Sequence, residues 1–321
     1  MHFRQIALAA ITLAGALAAP ILPAHADKPL IGAVLYARDS AFWRQVERGM
    51  QDAAAANNVD LNVVLNRRQL GTEAQVVDDL MTRGVKALVI SPLDKNASAN
   101  AVRAAKAKKL PIVEYNTFFA DRSVATNSVG VDNTELAASV GREMAKAIET
   151  RMQGHAKIGL IPLPSINPGS AVRKRGMLSA LSGVKVDIVS EIEGATPEQG
   201  ANAVESILRR DPGTQIIWAS NSGTLAGAAT TVDRMHGKVE LYGIDMSAEL
   251  ARAMLQPDSR IIAVSDQQPY KLGYLAVETA AKDLKGVASP RDIQVPVKIY
   301  TKSDRTGLDE YLKLIQSLGK P

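Results

Sequence analysis

The stretch Leu30-Ile31-Gly32-Ala33-Val34-Leu35-Tyr36, followed two residues later by Asp39-Ser40-Ala41-Phe42-Trp43, decides the fold class. Its first half is a short apolar run bounded by a turn, which reads as a buried β-strand. Directly after it, Phe42, Val46, Met50 and Ala53 recur at near-3.6 spacing and predict one core-facing stripe of a helix. A strand that passes within a few residues into a helix is the first piece of a βαβ unit.

The same alternation continues along the chain. Leu61-Asn62-Val63-Val64-Leu65 predicts a strand, Glu73 to Arg83 a helix, Ala87-Leu88-Val89-Ile90 a strand, Asn96 to Lys109 a helix and Pro111 to Tyr115 a strand. A restart follows at Asp132 and Asn133, which cap a helix carrying Leu136, Val140, Met144 and Ile148. Strands at Ile158 to Ile161, Val184 to Val189, Gln215 to Ala219 and Val239 to Gly243 alternate with helices starting near Ser170, Pro197, Gly223 and Ser247. Pro197 stands in the first turn of its helix with Thr196 as the N-cap. The tail adds a strand Ile261 to Ser265, a helix Pro269 to Lys285, a strand Gln294 to Tyr300 and a helix holding Leu308, Leu312, Ile315 and Leu318. The expectation is an α/β protein of two doubly wound parallel-sheet lobes, with right-handed crossovers and a three-stranded hinge. Residues 27–131 with 268–295 form the N-terminal lobe in this reading, and residues 132–267 with 296–321 the C-terminal lobe.

Residues 1–26 carry Arg4, an apolar run from Ile6 to Leu22 and the small-x-small site Ala24-His25-Ala26. That is the pattern of a secretory signal peptide cleaved after Ala26, and it implies a bacterial periplasm. The chain has no cysteine, which excludes a lipoprotein anchor, disulfides and cysteine catalysis. Loss of Arg4 with the leader lowers the formal net charge from +5 by one, to +4. Short basic clusters such as Arg173-Lys174-Arg175 fall on predicted helices, and no nucleic-acid-reading motif accompanies them, so nucleic acid is not an expected partner. Neither His155 nor His236 sits in a catalytic or metal motif, and no nucleophile elbow or phosphate loop is present. The chain therefore does not read as an enzyme, and no cofactor is implied.

Aromatic residues are the sharpest functional signal. Tyr36, Phe42 and Trp43, then Tyr115, Phe118 and Phe119, then Tyr270 each follow a predicted strand. Ligands of open α/β sheets bind outside the carboxyl ends of the strands, so rings gathered there predict a pocket that grips a ligand by its faces.

Four stretches together resemble the type I periplasmic sugar-binding proteins, the ribose- and galactose-binding family of ABC importers. They are Asp39 to Trp43, Ile90-Ser91-Pro92-Leu93-Asp94, Gly243-Ile244-Asp245 and Ser265 to Tyr274. The resemblance implies a ligand sandwiched by Phe42 and Trp43, with Ser40, Ser91 and Asn116 on the same lobe. It further implies Arg173, Asn221 and Asp245 reading hydroxyls from the second lobe, and Gln267 doing so from the hinge. Planar carboxylate, amide and guanidinium groups suit a hydroxyl, which both donates and accepts. Each residue has a plainer role as well. Asp245 could cap the helix at Ser247, Asn221 could cap its own helix, Arg173 could be a solvated charge, Gln267 a hinge residue and Trp43 core. Where sugar binders carry an Asp-Arg pair, this chain has Asn116-Thr117, and that departure favours a less polar or smaller, polyol-like ligand.

The implied partners are a small sugar or polyol and an ABC permease, with the protein acting as a monomer. A second resemblance runs to the periplasmic sensors of trimethylamine N-oxide, through Tyr36, Asp39 to Trp43, Gly49-Met50-Gln51 and Ser265 to Gln267. It implies an aromatic cage and a membrane histidine kinase as the partner.

Overall fold

A computed structural model describes residues 28–165, 167 and 169–318, so the signal-peptide reading lies outside the described residues. The first sheet contains β1 (Leu30–Leu35), β2 (Asp60–Leu65), β3 (Ala87–Ile90), β4 (Ile112–Tyr115), β5 (Asn127–Gly130) and β11 (Asp292–Gln294), in the order β11-β5-β4-β3-β1-β2. The second contains β6 (His155–Ile161), β7 (Lys185–Glu191), β8 (Ile216–Ala219), β9 (Glu240–Ile244), β10 (Ile261–Asp266) and β12 (Lys298–Thr301), in the order β12-β10-β9-β8-β6-β7. Each sheet anchors one lobe.

Alternation within the strands explains why both faces of each sheet are covered. In β1, Ile31, Ala33 and Leu35 join one core and Val34 the opposite one; in β3, Ala87 and Val89 part in the same way from Leu88 and Ile90. The first core lies under α1 (Ala41–Asn57) and α10 (Pro269–Leu284), the second under α2 (Leu70–Thr82) and the short α3 (Ser98–Ala101) and α4 (Arg103–Ala107). In the other lobe, α5 (Asn133–Arg151) and α6 (Ser170–Ser179) cover one face. Its opposite face holds α7 (Pro197–Arg210), α8 (Ser222–Arg234), α9 (Ala248–Met254) and α11 (Arg305–Ser317).

The sequence reading needs four corrections here. The single helix expected over residues 96–109 is broken at Val102, whose φ of −96° and ψ of 5° leave the helical region. β5 was not foreseen, because Asn127-Ser128-Val129-Gly130 is four residues long and mostly poor in β propensity. The expected strand from Gln294 to Tyr300 is two strands, one in each sheet, separated by Val295-Pro296-Val297. Finally, the second sheet is mixed, since β12 pairs antiparallel with β10. β10 runs toward the inter-lobe gap and β12 enters from it, so the two must point in opposite directions.

Three helix pairs touch backbone to backbone through reciprocal glycines. A Cβ at Gly49 would land on the carbonyl oxygen of Tyr270, and one at Gly273 on that of Val46, between α1 and α10. Gly141 and Gly176 play this part between α5 and α6, against Met177 and Thr134, and Gly200 and Gly227 between α7 and α8, against Thr224 and Pro197. A methyl group at any of these positions meets a carbonyl rather than a flexible side chain, so the helices themselves must move apart. We expect Gly49→Ala to destabilise the protein by about 2 kcal/mol in chemical unfolding, the scale of core overpacking. Gly71→Ala on α2, which has open space around it, should be neutral or stabilising by up to about 1 kcal/mol. Equal effects of the two substitutions would refute the close-approach account.

Candidate functional site

The chain crosses between lobes three times, at Val131-Asp132 after β5, at Gln267-Gln268 after β10 and at Val295-Pro296-Val297 after β11. These crossings lie side by side. Val295 N donates to Gly130 O at 2.8 Å, and Gln268 Nε2 donates to Pro296 O at 2.6 Å. All three leave from the carboxyl ends of parallel strands, so the gap between the lobes faces those ends, where ligands of such sheets bind.

The C-terminal lobe brings a charged group to this gap. Arg173, in the first turns of α6, donates through Nε to Asn133 Oδ1 at 2.9 Å and through Nη1 to Ser220 O at 3.0 Å. Nη1 also stands 3.5 Å from Asp245 Oδ2, and the two side chains are 9 % and 14 % exposed. The close α5–α6 crossing holds Asn133 against Arg173, so the guanidinium is fixed in place and is not a solvated surface charge. Gln267 Nε2 donates to Asp245 Oδ1 at 2.5 Å. Asp245 sits after β9 with φ at +69°, and Ser247, not Asp245, caps α9. Asn221 does cap α8, accepting from Thr224 N at 3.0 Å, while its Nδ2 reaches Gly194 O at 3.4 Å.

The N-terminal lobe presents rings. Ser40 caps α1 by accepting from Trp43 N at 3.4 Å, which places Phe42 and Trp43 in the first turn of the helix. The Phe42 and Trp43 rings meet edge-on at 4.9 Å, and Tyr36 is tilted against Trp43 at 4.6 Å. Trp43 is buried, with 8 % exposure, and belongs to the lobe's core as much as to its surface; Phe42 is half-buried. Ser91 is fully buried and accepts from Asn116 Nδ2 at 3.3 Å.

Most of the wider aromatic cluster does not assemble at the gap. Tyr115 is fully buried and donates its hydroxyl to Val34 O at 3.0 Å, and Phe119 packs in the core under β3 and β4. The buried Glu114 carboxylate pins that loop through Phe119 N at 2.6 Å, Ser128 Oγ at 2.5 Å and Arg122 at 2.7 Å. Phe118 covers Gly130, and Tyr270 turns outward to Asp52 at 3.0 Å. A strand end in sequence is therefore not always a pocket wall. Tyr115 and Phe119 therefore belong to the core and not to an aromatic pocket.

Sequence reasoning gave no site role to Asn133, Ser220 or Asp266. A carboxylate closing an apolar strand run was the available signal for Asp266. It is buried at the hinge between Gln267 and Ser265, facing Asp245, Lys298 of β12 and the Tyr300 and Tyr311 rings. Burial pushes its carboxyl up to about 7, repulsion from Asp245 adds to this, and the backbone amides of Gln268 and Met246 with Lys298 oppose it. The folded state thus holds a proton that the unfolded chain releases near pH 4. Stability from this group is complete below that pH and is lost as pH rises toward about 7, by up to about 1.4 kcal/mol per pH unit. Glu73 and Glu114, also raised by burial, act in the same sense. Asp266→Asn should therefore flatten, without abolishing, the fall in melting temperature between pH 5 and pH 7.5. A variant whose profile parallels the wild type would refute the assignment.

Comparisons with known proteins agree with this architecture. Residues 31–287 match the periplasmic binding protein domain. The periplasmic-binding protein YphF of an Escherichia coli ABC transporter is 26 % identical over 305 residues, covering 92 % of each chain. The ribose import binding protein of Haemophilus influenzae is 27 % identical over 298 residues, covering 92 % of this chain and 99 % of that one. Among solved structures, the binding protein of the arabinose ABC transporter from Shewanella superposes with a TM-score of 0.81 at 18 % identity, over 91 % of this chain and 98 % of that one. This chain belongs to the periplasmic binding protein family.

Proposed function

We propose that this member of the periplasmic binding protein family is the receptor of an ABC importer, capturing a small sugar or polyol between its lobes and delivering it to a membrane permease. The observation that carries the reading is the Arg173–Asp245–Gln267 group, held at the carboxyl ends of one sheet across a three-stranded hinge from Phe42 and Trp43. A guanidinium fork, a carboxylate and an amide supply donors and acceptors to paired hydroxyls. The ring faces bury the C–H surface of a sugar, at about 1–3 kcal/mol per ring. Asn221 and Asn116 add an amide from each lobe, and Ser40 and Ser91 border the rings. Micromolar affinity corresponds to about −8 kcal/mol, within reach of these contacts.

Hinge closure brings the two half-sites together, and the closed form is the one offered to the permease. Residues 1–26 serve as the export signal, and the mature protein works as a monomer in the periplasm. The relatives named above are binding proteins of ABC transporters or of ribose import, and no observation at the site favours the sensor alternative.

A thermal-shift screen of the mature protein against sugars and polyols tests the reading. A true ligand at 100 times its Kd adds about 2.7 kcal/mol and raises the melting temperature by several degrees. Asp245→Asn, which keeps the side-chain shape at a φ of +69° that Asn tolerates, should shrink that shift while changing the unliganded melting point little, because the lost attraction to Arg173 is offset by relief of the repulsion on Asp266. No shift with any sugar or polyol would reject the proposal. Trp43→Ala is a poorer probe, since removing a buried Trp costs about 3–5 kcal/mol of fold stability.

A further inference from the structure

Asp266 closes β10 with its side chain turned into the C-terminal lobe, although the residue borders the gap. Val264, two residues earlier, packs in the core under α9 and α11, and alternation along the strand turns Asp266 the same way. The residue is 3 % exposed. Its register partner on β12 is Lys298, whose ammonium stands over the Tyr300 ring at 4.8 Å. Tyr300 and Tyr311, whose rings meet edge-on at 5.2 Å, lie beside it, and the backbone amides of Gln268 and Met246 donate to it.

This enclosure reaches both the candidate site and the other lobe. The Tyr311 hydroxyl donates to Met246 O at 3.1 Å, next to Asp245. From the N-terminal lobe, Gln45 Nε2 of α1 stands 3.5 Å from the same hydroxyl, and Arg48 donates to Leu318 O at the end of α11 at 2.6 Å. Asp245 N donates to Ser265 O at 2.7 Å, and Gln267 holds the Asp245 carboxylate. Asp266 thus lies between two residues that both fix Asp245, behind a helix that touches the opposite lobe. The charged and titratable groups facing it are Asp245 after β9, Lys298 and Tyr300 of β12 and Tyr311 of α11, while Asp304 and Glu310 face the Tyr300 phenol.

We propose that Asp266 is a positioning residue acting through Asp245, and that the gap closes on its ligand with the Asp266 carboxyl as the neutral acid, so that binding takes up a proton. The inference rests on the sugar-receptor reading above. Closure removes water from beside Asp245, so the two carboxyls interact through a poorer screening medium and only one keeps its charge. Asp245 is the one beside Arg173 and Gln267, and a sugar hydroxyl donates to it without neutralising it. The Asp266 carboxyl, pushed up to about 7 by burial and by Asp245, rises further in the complex. A group that holds its proton more tightly in the complex favours binding at low pH, and the advantage is lost as pH rises through its free-state value.

Titration calorimetry on the mature protein tests this, with the tightest binder among D-ribose, D-allose, L-arabinose and D-galactose as the probe. A bound-state value about one pH unit higher makes binding about fivefold weaker at pH 8 than at pH 6. Heats measured in phosphate and in Tris at pH 7 should then differ by the uptake of about half a proton. Asp266→Asn, a permanently neutral counterpart, should bind as the wild type does at pH 6 and keep that affinity at pH 8. A merely structural role would weaken binding equally at both. His155 opens β6 and His236 follows α8, at the ends away from the gap, and Glu73 and Glu114 stay in place in the variant, so the comparison isolates Asp266. If the variant does not fold, NMR titration of the Asp266 carboxyl carbon in the wild type carries the test, with a midpoint near 7 that rises when the probe is added. Equal affinity at pH 6 and pH 8, a slope that persists in Asp266→Asn, or a midpoint unmoved by the probe overturns the inference and leaves the receptor reading intact. Absence of binding by every sugar and polyol overturns both.

Discussion

Every crossing between the lobes leaves from the carboxyl end of a parallel strand, and the rest of the site depends on that constraint. Because β5, β10 and β11 all finish at the same gap, the loops after β1, β3 and β4 of one lobe confront those after β8 and β9 of the other. The hinge is at the same time the floor of the site. Gln267 belongs to a crossing and also holds Asp245, so a rotation of the lobes and the position of the Asp245 carboxylate are mechanically linked.

Precision within each half comes from backbone contact. Paired glycines let α5 and α6 meet without intervening side chains, and that closeness puts Asn133 on the Arg173 guanidinium. A mobile arginine would lose rotamer freedom on binding. One already held by Asn133 and Ser220 has met that cost during folding. The same economy has a counterpart at Asp266, a buried carboxylate kept beside Asp245 at the expense of stability at neutral pH. Strained or unfavourable groups of this kind gather where a structure must hold a functional geometry.

Polar groups on both sides of the gap are already engaged within their own lobe. Those of the N-terminal lobe are tied into a Tyr36–Pro92–Thr117 and Asn116–Ser91 network. Those of the C-terminal lobe converge on Asp245.

Local order and periodicity were enough to read the strand–helix alternation, the restart near Asp132 and the residues from Asp39 to Trp43, because strand and helix periods are properties of neighbouring residues. The two-lobed α/β class was legible for that reason, and most helix starts lay within a residue or two of their caps. Pairing between distant segments was not legible. β5 is too short and polar to announce itself, and one apolar tail segment proved to be two strands only because Val295-Pro296-Val297 crosses the hinge. The sequence placed seven rings at three strand ends, but packing decided that Tyr115 and Phe119 fill the core and that Tyr36, Phe42 and Trp43 remain beside the gap. Burial and hydrogen-bond commitment arise from contacts between residues far apart in the chain, so only the tertiary structure could assign them.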